Sequence, residues 1–177
     1  MEIESPRLLL RPVTEDDLIG FHKLQSSPEV TKWTKQGPNK TLERSQEMLD
    51  DLLVLVNMMR SYECRGQPVL IHAITIPPSN ELVGLIGTFR PREIGFSLHP
   101  SFWRQGYAQE ATRAFCAWYF REHPGQPLFA KVNAQNDASM RCLMRCGFTP
   151  ATEKELKADG AYGKDRERET WLLRVGS

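Results

Sequence analysis

Residues 93–108, Glu93-Ile-Gly-Phe-Ser-Leu-His-Pro-Ser-Phe-Trp-Arg-Gln-Gly-Tyr-Ala108, constrain the fold of this chain more than any other stretch, because they read as a strand, a turn and a helix start in close succession. Ile94 to Leu98 carries the branched and aromatic side chains of a half-buried strand. His99-Pro100-Ser101 ends it, since proline has no N–H to give to a ladder. Beyond the turn, Ala108, Ala111, Phe115 and Trp118 are spaced to share one face of a helix. A helix start of this kind leaves backbone N–H groups pointing outward, with roughly half a positive charge at that end. It is a ready seat for an anionic group, phosphate above all. The segment contains neither Gly-x-x-x-x-Gly-Lys-Ser/Thr nor Gly-x-Gly-x-x-Gly. Taken alone, one glycine in such a connection is more often just a turn.

A second segment adds to it. Leu128 to Val132 reads as another strand, and Asn136-Asp-Ala-Ser139-Met-Arg-Cys-Leu-Met-Arg-Cys-Gly147-Phe148 follows as a short helix ended by a glycine. Together the two segments resemble the acetyl-coenzyme A site of the GNAT N-acetyltransferase superfamily. The first is similar to its Gln/Arg-x-x-Gly-x-Gly/Ala loop at Gly106 and Ala108, the second to its Asn-x-x-Ser/Ala…Gly-Phe segment at Asn136, Ser139, Gly147 and Phe148. Glu4-Ser-Pro-Arg-Leu-Leu-Leu-Arg-Pro12, Glu93-Ile-Gly-Phe96 and Trp103-x-x-Gly-Tyr-Ala-x-Glu110 resemble the subfamily that includes the ribosomal-protein N-terminal acetyltransferases. The likeness runs from Ser5 to Arg174.

That resemblance implies a mixed α/β fold with a central, mostly antiparallel sheet, one splayed parallel strand pair and about four flanking helices. The length of 177 residues suits a single domain over residues 1–177. Lys+Arg 23 against Asp+Glu 22 leaves a net charge of +1, so no general electrostatic pull toward nucleic acid or a membrane is expected. The mixed-sign run from Lys164 to Glu169 reads as a solvated face. Cys64, Cys116, Cys142 and Cys146 lack paired zinc spacing and read as packed thiols of a reducing compartment, with no metal. The start lacks the basic residues of a signal peptide, and no apolar run reaches membrane-spanning length. The expectation is a cytoplasmic protein, monomer or homodimer.

In chain order, Arg7 to Pro12 is a first strand, and Thr14-Glu-Asp-Asp17 starts a helix continued by Leu18, Phe21 and Leu24. Residues 27–40, with Pro28, Gly37 and Pro38, read as an exposed connection in which Trp33 is either a core or lid anchor or a recognition residue. Thr41 to Arg60 has helical period. Val69 to Ile76 and Leu82 to Phe89 form a hairpin across Pro77-Pro-Ser-Asn80, with His72 as a core histidine. Arg90-Pro-Arg92 leads directly into the central strand. Phe148 to Leu156 and Glu169 to Arg174 close the sheet as a hairpin around a loop at Lys157 to Arg168.

An amine attacks a thioester only when neutral, and an alkyl ammonium has a pKa of about 10. The reaction therefore needs a proton acceptor, an oxyanion donor and a way to release thiolate. The resemblance implies that backbone N–H groups at Phe96, Ser97 and Leu98 hold the thioester carbonyl. It implies that Arg104, Gln105, Gly106, Tyr107, Ala108 and Gln109 hold the diphosphate of acetyl-coenzyme A, with Asn136 and Ser139 completing the cofactor site. Arg104 stands where a glycine is frequent; its guanidinium either adds a phosphate contact or faces solvent. Its side chain is unstrained only if the backbone there has negative φ. Glu93 is the candidate general base, acting through water, or else a partner of Arg90 or Arg92. Lys131 occupies the family's other common base position and cannot serve in its charged form. Leu143 replaces the usual general-acid tyrosine, leaving Ser139 or water to protonate the thiolate. A thiol of pKa about 8.5 also leaves tolerably without help. The implied function is acetyl transfer from acetyl-coenzyme A to a primary amine, either a small molecule or a protein N-terminus. The alternative is a catalytically silent acyl-coenzyme A-binding module.

Overall fold

The computed structural model describes residues 1–34, 36–61, 69–152, 154 and the backbone of 168–173. The strands are β1 (Ile3–Glu4), β2 (Leu9–Pro12), β3 (Leu70–Thr75), β4 (Leu82–Arg90), β5 (Glu93–Leu98), β6 (Leu128–Asn133), β7 (Thr149–Pro150) and β8 (Arg168–Leu173). The helices are α1 (Leu18–Ser26), α2 (Pro28–Thr31), α3 (Leu42–Ser61), α4 (Tyr107–Glu122) and α5 (Asp137–Arg145). Among the described residues, one sheet holds these eight strands in the order β1-β2-β3-β4-β5-β6-β8-β7. It is the mixed α/β fold expected, with every neighbouring pair antiparallel except β5 and β6.

Alternation along each strand sends side chains to two cores. On one face Ile74, Ile86, Ile94, Leu98, Leu128, Ala130 and Val132 pack against Ala111, Phe115, Trp118 and Tyr119 of α4 and Leu143 of α5. On the other, Ile71, Ala73, Leu82 and Leu85 pack against Phe21 and Leu24 of α1 and Leu49 and Val56 of α3. His72 lies in the first core as expected, edge-on to the rings of Phe115 and Trp118. A bulge at Val83, which has no partner between the pairs Ile74–Gly84 and Thr75–Leu82, lets Val83 face α4 while Leu82 and Leu85 face α1 and α3.

The start of α1 is tied to β2 by charge. Arg11 gives two hydrogen bonds to the Asp17 carboxylate, at 2.9 and 2.6 Å, and the Thr14 N–H gives a third at 2.8 Å. Those three donors satisfy a carboxylate that is almost wholly buried.

Residues 27–40 are more structured than an exposed connection. Pro28 takes the first position of α2, where its missing N–H costs nothing, and Thr31 and Asn39 are buried. Among the described residues, the edge strand expected from Phe148 to Leu156 is Thr149–Pro150 and stops at the proline, which has no N–H for a ladder; residues 153, 155 and 156 lie outside the described ones. Lys35, Cys64, most of the closing hairpin's loop and the segment 62–68 lie outside the described residues.

Candidate active site

The parallel pair defines the site. Among the described residues, Glu93 opposite Phe129 is the one register pair that β5 and β6 share. The Phe129 N–H donates to Arg92 O at 2.8 Å there, and the strands then part. On the other side of β5, the His99 N–H donates to Val83 O at 2.9 Å, so the odd-numbered residues 95 to 99 turn their backbone groups toward β4. A Cβ on Gly84 would fall on the carbonyl oxygen of Ser97, which agrees with that assignment. Alternation leaves the N–H groups of Phe96 and Leu98 facing the gap that β6 has vacated. Leu98 O is already engaged: the Trp103 indole Nε1–H donates to it at 2.6 Å.

Trp103 thereby joins the end of β5 to the loop that follows. Arg104 has φ 60° and Gly106 φ 82°, and Gly106 is the residue before the first turn of α4. Arg104 is thus a non-glycine residue in the left-handed region, a conformation that costs about 1–2 kcal/mol. The condition for an unstrained side chain there is not met. Gln105 stays folded back on its own turn, Nε2 donating to Ser101 O at 3.0 Å. Residues 104–109 form one continuous loop and first helical turn. Arg104 and Gln105 are exposed, and Tyr107, Ala108 and Gln109 half-buried.

Beneath the loop lies a set of contacts that the sequence alone did not suggest. The Arg7 guanidinium binds the Glu110 carboxylate at 2.7 Å, and the Arg7 N–H and the Ser5 hydroxyl donate to it at 2.8 and 2.9 Å. Arg7 Nη1 donates to Gln105 O at 3.0 Å, and the guanidinium lies 4.5 Å from the centre of the Tyr107 ring. Burial opposes ionisation of Glu110, but the hydrogen bonds from Arg7 and Ser5 outweigh it and hold the carboxyl below its ordinary pKa. The charges were visible in the sequence, but nothing local pairs positions so far apart.

Glu93 sits at the closed end of the gap. Its carboxylate lies 3.4 Å from Arg90 Nη1 and 3.9 Å from Lys131 Nζ, and its side chain is only 15% exposed. Arg90, not Arg92, is thus the arginine that meets it; Arg92 lies over the Phe129 ring. Glu93, Ser97 and Lys131 alternate to the face opposite α4. Three residues of strand, about 10 Å, separate Glu93 from Phe96 along β5. A proton passed between them needs a water or the acceptor itself.

Asn136 caps α5, its Oδ1 accepting from the Ser139 N–H at 3.1 Å, beyond the end where β6 has left β5. Leu143 is 1% exposed in the core and offers the gap no polar group. Cys146 Sγ lies 3.6 Å from Gln109 O, and Arg113 donates to Arg145 O at 2.7 Å, docking the end of α5 on the first turns of α4. The neighbouring Cys146 thiol and burial raise the pKa of the Cys142 thiol, whereas Cys142 and Arg113 lower that of Cys146 against burial. Among the described residues no group of three or more His, Cys, Asp or Glu side chains is placed to hold a metal ion, and no helix is long and apolar enough to cross a membrane.

A relative in Bacillus subtilis, the uncharacterized N-acetyltransferase YoaA, is 28% identical over 152 residues, covering 82% of this chain and 81% of its own. An acetyltransferase from Agrobacterium tumefaciens superposes with a TM-score of 0.76 at 22% identity, over 99% of this chain and 95% of that one. RimL, a ribosomal L7/L12 alpha-N-protein acetyltransferase solved in complex with coenzyme A, superposes with a TM-score of 0.70 at 20% identity, over 99% and 98%. These two structures share the fold of this chain. The family model described as an acetyltransferase (GNAT) domain matches residues 7–149, from β2 through the splayed pair, the loop and α5, and the chain belongs to the GNAT acetyltransferase family.

Proposed function

We propose that this acyltransferase moves an acetyl group from acetyl-coenzyme A to a primary amine by direct attack, the acceptor being a small-molecule amine or a protein N-terminus. The observation that carries the reading is the gap between β5 and β6, into which the Phe96 and Leu98 N–H groups point. They suit a thioester oxygen that becomes negative as the carbonyl turns tetrahedral. Ser97 between them keeps its backbone on β4 and holds the strand in register.

The loop suits the diphosphate. Arg104, Gln105, Gly106, Tyr107, Ala108 and Gln109 supply backbone N–H groups at the positive end of α4. Gly106, at φ 82°, gives the turn a conformation that side-chain-bearing residues resist. Asn136 and Ser139, at the start of α5, flank the opening on the β6 side.

In the reaction, the neutral amine nitrogen attacks the carbonyl carbon, a C–N bond forms, and collapse breaks the C–S bond to release coenzyme A thiolate. Glu93 takes the amine proton through a water across the distance to Phe96. The thiolate takes a proton from water or from Ser139, because Leu143 has none to give. RimL acts on a protein N-terminus, which supports including N-terminal peptides among the acceptors.

The test is a panel of small primary amines and of peptides with free N-termini, each incubated with acetyl-coenzyme A while thiol release and acetylated product are measured together. The expected result is equimolar coenzyme A and N-acetyl product for one class. Thiol release with no acetylated amine, or no turnover with any acceptor, would count against the proposal.

A further inference from the structure

We infer that Arg7, on the segment between β1 and β2, is a positioning residue for the phosphate loop: it aims the Gly106 N–H outward and neutralises the one carboxylate in the first turn of α4. The inference rests on the reading of residues 104–109 as the diphosphate seat. It goes beyond that reading by assigning a role to a residue almost a hundred positions away.

The aiming follows from peptide geometry. In a planar trans peptide the C=O and the N–H point in opposite directions. Arg7 Nη1 holds Gln105 O at 3.0 Å, so the N–H of the same peptide, on Gly106, is turned the other way. That peptide joins Gln105 to the left-handed Gly106, at φ 82°, and Arg104 just before Gln105 is left-handed too, at φ 60°. A glycine-linked peptide plane flips readily when nothing holds it. Arg7 Nη2 also lies 3.3 Å from where a Cβ on Gly106 would be, so the guanidinium closes the inner side of the turn.

The neutralisation follows from charge. A helix N-terminus that seats a diphosphate has no use for a bare carboxylate in its first turn, where anion repels anion. Glu110 is the acid there, and its oxygens accept from the Arg7 backbone, the Arg7 guanidinium and the Ser5 hydroxyl. Removing the guanidinium leaves Glu110 facing the same anion that the loop is built to hold.

The experiment titrates wild type, Arg7→Met and Arg7→Met/Glu110→Gln with acetyl-coenzyme A by calorimetry, and with S-acetylpantetheine, which lacks the diphosphate and nucleotide, by ligand-observed NMR. Wild type should bind acetyl-coenzyme A far more tightly than S-acetylpantetheine. Arg7→Met should weaken acetyl-coenzyme A by about tenfold or more, with S-acetylpantetheine unchanged. Adding Glu110→Gln should restore part of the loss, an outcome that a merely structural role for the ion pair would not give. Arg7→Lys keeps the charge without the two-pronged reach to Gln105 O and should fall between wild type and Arg7→Met. It carries the test if Arg7→Met does not fold. Unchanged acetyl-coenzyme A affinity in a folded Arg7 variant, or equal losses for both donors, would overturn the role of Arg7 alone. Equal wild-type affinity for the two donors would overturn the diphosphate reading itself.

Discussion

The Trp103 indole N–H donates to Leu98 O at 2.6 Å, and this bond fixes the end of the strand to the loop that follows it. Leu98 O would otherwise face the gap between β5 and β6, competing for donors with whatever enters. Trp103→Phe keeps an aromatic ring and removes the donor. The expected loss is about 0.5–1.5 kcal/mol of stability, or about 1–6 °C in Tm, together with a higher KM for acetyl-coenzyme A. A thermal melt and a donor titration check both; an unchanged KM would mean that the bond serves stability only.

Arg104 at φ 60° gives a prediction of opposite sign. Glycine relieves about 1–2 kcal/mol of left-handed strain and loses about 0.5–1 kcal/mol through the unfolded chain. Arg104→Gly should therefore melt no lower than wild type, whereas a β-branched Arg104→Val should melt lower. Arg104→Ala should weaken acetyl-coenzyme A by at most about 1–3 kcal/mol if the guanidinium reaches a phosphate. No change in affinity would place the side chain in solvent.

Glu93, between Arg90 and Lys131, tests the chemistry. Glu93→Gln keeps the size and removes the basic oxygen, so with a confirmed acceptor the rate at neutral pH should fall about 10²–10⁴-fold. Residual activity should climb with pH as more acceptor arrives neutral, with acetyl-coenzyme A affinity little changed. A near-normal rate would leave water or an acceptor group as the base.

Glu110 sets a pH dependence. Its folded pKa is depressed by the bonds from Arg7 and Ser5, which prevail over burial. Its contribution is therefore fully present above the unfolded carboxyl pKa of about 4.3 and disappears as pH falls through the lower folded value. The Tm gap between wild type and Glu110→Gln should be widest near neutrality and close on acidification below that range. A gap that widens in acid would reverse the assigned sign.

The sequence was most informative where structure is local. Helical period located α3, α4 and α5, and alternation with turn residues located β3 to β6, because those signals come from neighbours one turn or two residues apart. The Gly106 turn was legible for the same reason. The two-residue β1 and four-residue α2 were not, being too short to carry a period. Leu143 could be named as a departure from the family's tyrosine, but only packing shows it spent in the core. The Arg7–Glu110 pair and the Trp103–Leu98 bond depend on where the sheet brings distant segments, and composition cannot supply that.

The most direct measurement is calorimetric titration of Gly106→Pro with acetyl-coenzyme A. Proline fixes φ near −65° and has no N–H, whereas Gly106 stands at φ 82° and its N–H is the one that the loop aims outward. The reading of this loop as the cofactor seat predicts a variant that still melts cooperatively and shows no binding heat. A folded Gly106→Pro that binds acetyl-coenzyme A as wild type does would contradict it.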